Sequence, residues 1–341
     1  MTQIKIKELE NSEVEIEGAI PSDILEKNIK TAIQNISKNM EMPGFRKGHI
    51  PENVLTQKVG ESAILEEAAD ITLKEEFPKI IIENKVDAIG RPSITITKLA
   101  KGNPLEFKAT IAIMPKTELP DYKELAKKIM SKKEKIEVSD KEIEETINEI
   151  RKMRATNANN GDQNNDDKEL PKLDDEFVKT LGDFKNVSEF KEKLKENIKL
   201  EKERKSKDKK RVELMEEIIK NTKTSLPNIM VESELDKMIS QFKDDVARNG
   251  GTFEEYLKHI KKTEEDIRRE WRTDAEKRAK SQLVLNKIAI KEKIEAPKDE
   301  LDKQVKHLLE HYSDADPERV KIYVETILVN EEVFKLLEKQ A

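Results

Sequence analysis

The first part of the chain is organised around one stretch, Met42-Pro43-Gly44-Phe45-Arg46-Lys47-Gly48-His49-Ile50-Pro51. Two glycines and two prolines among these residues disrupt both helix and regular strand, so the stretch is predicted to be a loop. Gly44 and Gly48 bracket one large ring and two cations, which we expect at the loop tip. A ring beside cations suits a surface that is part apolar and part phosphate. The alternative is that Phe45 folds back onto its own domain.

Apolar patterns on both sides of this loop predict a compact α+β domain over residues 1–115. Alternation of apolar and polar residues predicts two strand pairs, with turns at Asn11-Ser12 and at Gly102-Asn103. Helical spacing predicts three helices between the pairs, the first capped by Ser22. The predicted fold is a four-stranded antiparallel sheet with helices, and the loop protrudes from its helical side. The expected strands are 4–6, 14–16, 94–97 and 105–113, and the expected helices are 22–40, a stretch from 51, and 61–84.

The remainder, residues 116–341, is predicted to be an extended all-α body with helical arms. Helices are expected after caps at Ser139-Asp140 and Ser188, and helix ends at Leu226-Pro227 and at 249–251. Each predicted helix has a modest apolar face, and Pro and Gly breaks separate the helices. This pattern favours an open body over a sealed bundle.

Residues 155–171 are predicted to be a low-complexity flexible loop inside that body. The run from Thr156 to Asp167 is polar and contains almost no apolar side chain. It cannot bury enough surface to offset the entropy cost of ordering it.

A second stretch without apolar residues lies between Leu200 and Val212 and is rich in Lys and Arg. One interpretation is a basic contact strip. The other, which we favour, is a solvated part of a long helix laced with i,i+4 ion pairs.

Composition limits the classes of function. The 341 residues carry 71 acidic and 65 basic side chains, a net charge of −6, which argues against a surface that coats nucleic acid generally. Any RNA contact must therefore be local. The chain has no cysteine, which excludes disulfides, thiol catalysis and Cys-ligated zinc. It has no signal core and no apolar run of transmembrane length, so we expect a soluble cytoplasmic protein with no membrane partner.

Histidines supply the one sequence pattern that resembles a catalytic site. The segment 307–311 reads His-Leu-Leu-Glu-His, a pattern found in zinc proteases. A catalytic zinc also needs a third ligand and a closed cavity, and the neighbouring sequence offers no specific third ligand. The favoured interpretation is surface histidines at helical spacing. A Gly-rich phosphate loop and a Ser-His-Asp context are also missing, so we expect no catalytic residue, no cofactor and no metal.

The loop resembles the ribosome-docking signature of bacterial trigger factors, a Gly-Phe-Arg-x-Gly-Lys pattern. His49 replaces the usual Lys, which would weaken a phosphate contact slightly, while Lys47 keeps a second cation in the loop. The resemblance extends over residues 1–130 and 170–341, where the strands and helices follow in the expected order. The ribosome-binding residues that it implies are Gly44, Phe45, Arg46, Lys47, Gly48 and His49.

The resemblance implies an ATP-independent molecular chaperone. Residues 1–115 would dock at the exit tunnel of the large ribosomal subunit, on protein and rRNA, and residues 116–341 would shield nascent or unfolded polypeptides. The alternatives are a ribosome-independent holding or export chaperone or scaffold, and a peptidyl-prolyl isomerase. The oligomeric state stays open, with a homodimer off the ribosome as one alternative.

Five Met and Phe side chains on the later helices have two interpretations. One is ordinary helix–helix core. The other is an adaptable apolar lining for unfolded chains, because Met repacks easily against varied partners. These residues are Met215, Met230, Met238, Phe242 and Phe253.

Trigger factors typically carry an FKBP-type prolyl isomerase domain between the two parts, and this chain departs from that pattern. The corresponding space runs only from about Ala155 to Leu170, and no Phe, Tyr or Trp occurs from Lys123 to Glu176. An isomerase needs a small sheet domain with an apolar, aromatic-lined pocket. We therefore expect the isomerase domain to be missing and the protein not to be an enzyme.

Overall fold

The computed structural model describes residues 3–46, 48–132, 135–158, 170–312 and 314–340. Lys47 of the predicted site lies outside these ranges, and so does most of the predicted flexible loop. The chain divides into two compact units: Met1–Leu119 with Thr222–Lys287, and Pro120–Asn221 with Ile288–Ala341. In chain order the elements are β1 (Gln3–Leu9), β2 (Glu13–Ile20), α1 (Ser22–Asn39), α2 (Glu52–Val59), α3 (Glu61–Glu83), β3 (Ala88–Lys98), β4 (Leu105–Ile113), β5 (Thr117–Glu118), α4 (Tyr122–Met130), α5 (Asp140–Ala158), α6 (Asp175–Leu181), α7 (Val187–Asn221), β6 (Lys223–Thr224), α8 (Asn228–Arg248), α9 (Phe253–Ile260), α10 (Glu264–Glu292), α11 (Lys298–His311) and α12 (Pro317–Glu338).

The first four strands form one antiparallel sheet in the first unit, in the order β1-β2-β4-β3. Asn11 and Ser12 both have positive φ, 57° and 53°, which allows the tight turn between β1 and β2. Ile16 pairs with Ile6 on one side and with Ala109 on the other, so apolar residues of neighbouring strands share one face. The predicted four-stranded antiparallel sheet is confirmed, and so is the helical body that follows it.

Helices α1 and α3 pack on each other and contribute to the core against this sheet. The centre of this core holds side chains that are almost fully buried. The rings of Phe77 and Phe107 meet there edge to face, with centroids 6.0 Å apart. The prediction that Ser22 caps α1 is wrong. The helix begins at Ser22, and its cap is Pro21, whose fixed φ sets the extended entry without any side-chain hydrogen bond.

The rest of the first unit is built on pairings between distant residues. Thr117 of β5 pairs with Thr224 of β6, and the Ser12 hydroxyl donates to the Ser225 carbonyl at 2.7 Å. Helices α8 and α10 share a separate buried cluster of Val231, Leu235 and Ala275.

The second unit is centred on the long helix α7, which contacts α4, α5 and α6. Its core contains Ile143, Ile147, Val178 and Phe190, all buried. Helix α4 is not among the elements expected from the sequence. Burial raises the pKa of Tyr122 at its first position, and the Tyr122 hydroxyl donates to Glu292 at 2.6 Å, which adds to the same shift.

Two boundaries in this unit differ from the prediction. Helix α7 begins at Val187, because Asn186 and not Ser188 accepts the Glu189 N–H at 2.9 Å. Helix α5 continues to Ala158, so the predicted loop cannot begin at residue 155. The Arg151 guanidinium on α5 donates to the Pro171 carbonyl at 2.6 Å, which holds the returning chain against the helix. Residues 159–169 of the predicted loop lie outside the described part of the chain.

The charged run in α7 fits neither interpretation fully. Lys205 and Glu201 form the expected i,i+4 pair at 2.7 Å on the surface. Other cations of the run bind acids on neighbouring helices: Lys202 binds Glu142 of α5 at 2.6 Å, and Arg211 binds acids on α12. Several cations of this charged run therefore form ion pairs that link α7 to other helices of the second unit.

Candidate interaction site

The loop between α1 and α2 is shaped by its glycines and prolines. The Phe45 N–H donates to the Met42 carbonyl at 3.1 Å, which closes a tight turn with Pro43 and Gly44 at its centre. Gly44 has φ +87°. A proline at the second position and a residue of positive φ at the third are features of a type II β-turn. A side chain other than glycine would strain the backbone there.

The far end of the loop is fixed to the last part of α1 through Ser37, which is 3% exposed. The Ser37 carbonyl accepts the Gly48 N–H at 2.9 Å, and the Ser37 hydroxyl oxygen accepts the Ile50 N–H at 3.2 Å. Ile50 itself is buried, which anchors the chain just before α2 begins. The backbone is therefore held on both sides of the residues that project into solvent.

The side chains between these anchors are available for contact. Phe45 is 41% exposed, and Arg46 and His49 are exposed. Among the described residues no ion pair engages Arg46, so its planar fork is free to bind a carboxylate or a phosphate. The Phe45 side chain is thus partly covered and partly open to solvent, and the alternative in which Phe45 folds back onto its own domain stays open. No side-chain position is described for Lys47.

Lys38 adds a cation that the sequence analysis did not single out. It is exposed in the last turn of α1, and its Cγ lies 3.5 Å from the position that a Cβ on Gly48 would occupy. A basic residue in the helix turn that precedes a candidate loop is the signal that could have indicated it. The loop and Lys38 together present a ring and at least two cations on one side of the domain.

A second surface with apolar character lies on α8, α9 and α10. Phe242 is the centre of an aromatic cluster, with ring centroids 5.0 Å from Tyr256, 5.4 Å from Trp271 and 6.1 Å from Phe253, all edge to face. Phe242 and Phe253 are half-buried, and so are Met238, one turn away on α8, and Met230 near the start of α8. These four residues, predicted to be either helix core or a lining for unfolded chains, are thus packed against neighbours and still partly accessible to solvent.

The second unit exposes large apolar side chains that were not predicted as contacts. On α12, Ile322 and Tyr323 are each 61% exposed and Ile327 is 44% exposed, while Val324 and Val333 are buried. Met215, which was predicted as a candidate lining residue, is only 7% exposed and belongs to the core. Apolar residues are spread around α12, so its sequence does not indicate which of its faces stays exposed.

The described residues contain neither a metal site with three or more protein ligands nor a helix that could span a membrane. Within those ranges, no group of three or more His, Asp or Glu side chains is arranged to hold a metal ion. No helix that the structure describes is long and apolar enough to cross a bilayer.

Two protein-family models together match most of the chain. The family model "Bacterial trigger factor protein (TF)" matches residues 2–150, and "Bacterial trigger factor protein (TF) C-terminus" matches residues 186–340. Neither model covers residues 151–185.

Curated relatives are similar over nearly the whole length. A trigger factor of Halothermothrix orenii is 25% identical, covering 95% of this chain and 93% of the relative. A trigger factor of Clostridium kluyveri is 24% identical, covering 98% of each chain. That second alignment spans 428 positions, 87 more than the 341 residues of this chain, so the relative has residues at many positions where this chain has none.

A solved structure shares the fold. It is described as "Promiscuous Substrate Recognition in Folding and Assembly Activities of the Trigger Factor Chaperone", and it covers 99% of each chain with a TM-score of 0.56 at 17% identity. The two family models together span most of the sequence, in the order that the strands, loop and helices follow. The chain therefore belongs to the bacterial trigger factor family of chaperones.

Proposed function

We propose that this protein is an ATP-independent cytoplasmic chaperone that docks on the large ribosomal subunit and shields nascent polypeptides. The observation that carries the docking is the loop at residues 44–49. Ser37 fixes the backbone at Gly48 and Ile50, while Phe45 and Arg46 are exposed and Arg46 has no ion-pair partner among the described residues. Anchoring the chain at Gly48 and Ile50 reduces the conformational entropy that is lost on binding, which favours affinity from a small contact.

The two parts of the chain would then have different roles. Residues 1–115 form the docking domain, and the helices of residues 116–341 bind unfolded chains. Client binding is supported by partly exposed apolar side chains on two separate faces, the cluster around Phe242 and the α12 face around Tyr323. Shielding requires only reversible burial of apolar surface, so no bond is made or broken.

Docking is tested by replacing Phe45, Arg46 and Lys47 together by Ala and measuring co-sedimentation with 70S ribosomes. Aromatic and Arg contacts at interface centres commonly contribute about 2 kcal/mol or more, so affinity should fall by at least roughly 30-fold. Circular dichroism and melting should stay unchanged, because the described side chains in this set contribute little burial. Wild-type binding should also weaken as salt rises.

The matched control is the double variant Lys74→Ala, Lys79→Ala, which removes two exposed cations from α3. It should bind ribosomes as the wild type does. Both variants should still suppress aggregation of a denatured client without nucleotide. Normal co-sedimentation of the loop variant would show that the docking site lies elsewhere.

We also propose that the protein has no prolyl isomerase activity. The matched family models cover the N- and C-terminal parts, and the alignment with the Clostridium kluyveri relative spans 87 more positions than this chain has residues. A proline-limited refolding assay should show no acceleration above background at any concentration of this protein. Acceleration that titrates with the protein after removal of host isomerases would overturn this proposal.

A further inference from the structure

The last turn of α11 brings two imidazole rings together. His307 and His311 are four residues apart on one helix face, and both are exposed. Their ring centroids are 4.7 Å apart, with the ring planes at 88°. This pair plays no part in the proposed docking or client binding.

The separation of the rings suits a shared metal ion. A nitrogen ligand about 2.1 Å from a metal places the centre of its ring about 3.2 Å away. Two such rings at an angle of about 90–110° around the ion have centres roughly 4.5–5.2 Å apart. The observed 4.7 Å lies within this range. Histidines four residues apart on one helix face are a known arrangement for two ligands of one metal ion.

The helix end also favours a cation. His311 is the last residue of α11, and the C-terminal end of a helix carries partial negative charge. The Tyr312 N–H donates to the Leu308 carbonyl at 2.8 Å, which keeps this turn closed. Glu310, between the two histidines, adds a carboxylate to the same turn.

We propose that His307 and His311 form a two-ligand site for a divalent transition cation that prefers nitrogen, such as Ni²⁺, Cu²⁺ or Zn²⁺. No third His, Asp or Glu in the described residues completes the coordination, so water fills the other positions and the ion exchanges readily. Imidazole ligands select these metals over Mg²⁺ and Ca²⁺, which prefer oxygen. Binding bridges the last turn of α11 and stabilises it.

The test is calorimetric titration of tag-free full-length protein with NiCl₂, and separately with MgCl₂. One Ni²⁺ should bind per chain at this site, and Mg²⁺ should not compete. His307→Gln and His311→Gln should each weaken binding by roughly 10-fold or more, because the second imidazole acts at high effective concentration. His259→Gln, which removes an isolated histidine on α9, is the matched control and should change nothing.

A composition-matched variant tests the geometry itself. Exchanging two residues, His311→Tyr with Tyr312→His, keeps both side chains but moves the second imidazole about 100° around the helix. It should lose binding as the single variants do. Hydrogen exchange at residues 307–312 should slow with Ni²⁺ in the wild type and not in the exchanged variant. Equal Ni²⁺ affinity in the exchanged variant, or competition by Mg²⁺, would overturn the proposal.

Discussion

Replacing Arg211 by Met tests whether the charged run of α7 stabilises the second unit. The Arg211 guanidinium donates through both terminal nitrogens to Glu331, at 2.9 and 2.8 Å, and through Nε to Glu338 at 2.6 Å. Arg211 also lies over the ring of Phe334, 4.9 Å from its centroid. The side chains of Arg211 and Glu338 are each only 18% exposed, so the substitution leaves a largely buried carboxylate without its main partner.

The stability that Arg211→Met loses depends on how many ion pairs of Glu331 and Glu338 remain. Removing one partner of a buried ion pair costs about 3–5 kcal/mol. Here Glu331 is 42% exposed and regains water, and Lys207 still binds Glu338 at 2.9 Å. The expected loss is therefore about 2 kcal/mol, which lowers the melting temperature of a unit of this size by roughly 4–8 °C.

The assay is hydrogen exchange of α12 amides in the full chain at pH 7, with calorimetric melting as a second readout. Adding Glu338→Gln to the Arg211→Met variant should restore about half of the loss, because it removes the unpaired charge. Lys205→Met, which breaks an exposed pair on the same helix, should cost less than about 1 kcal/mol. Equal effects of Arg211→Met and Lys205→Met would refute the reasoning that burial makes this pair matter.

Two further predictions concern one residue in each unit. Gly90 and Gly102 have φ of +75° and +73°, but only at Gly90 would an added Cβ meet a neighbour, 1.9 Å from Ile229 Cδ1. In urea melts Gly90→Ala should therefore cost about 1 kcal/mol more than Gly102→Ala, and adding Ile229→Val should remove the excess. In the second unit, Lys202 and the Ser139 cap lower the pKa of Glu142 from 4.5 to about 2. Because the folded pKa is the lower one, the stabilisation is complete above about pH 4.5 and disappears as the pH falls toward 2. Melting of wild type and Glu142→Gln should differ at pH 7 and converge near pH 2, and a gap that persists there would contradict this assignment.

The conformation of the loop at residues 44–49 could be anticipated because its described glycines give local signals. Gly44 and Gly48 both adopt positive φ as their lack of a Cβ allows, and Phe45 is exposed at the tip. The anchoring by Ser37 could not be read from the sequence, since a serine near a helix end has many equivalent roles. The sequence does place Lys38 in the last turn before the loop, but its closeness to Gly48 depends on how the loop returns toward α1.

The sequence by itself determined the four strands of the first sheet, most of the longer helices, the turns between those strands and the position of the loop, but not α4 or the short strands β5 and β6. Those features follow from apolar spacing, turn residues and proline, which act over a few neighbouring residues. The tertiary structure alone decided the pairing of Thr117 with Thr224, the burial of Met215 and the binding of Arg211 to acids on α12. It also decided which face of α12 stays exposed. Such outcomes depend on which distant surface covers a side chain, and a single helix pattern is compatible with several such surfaces.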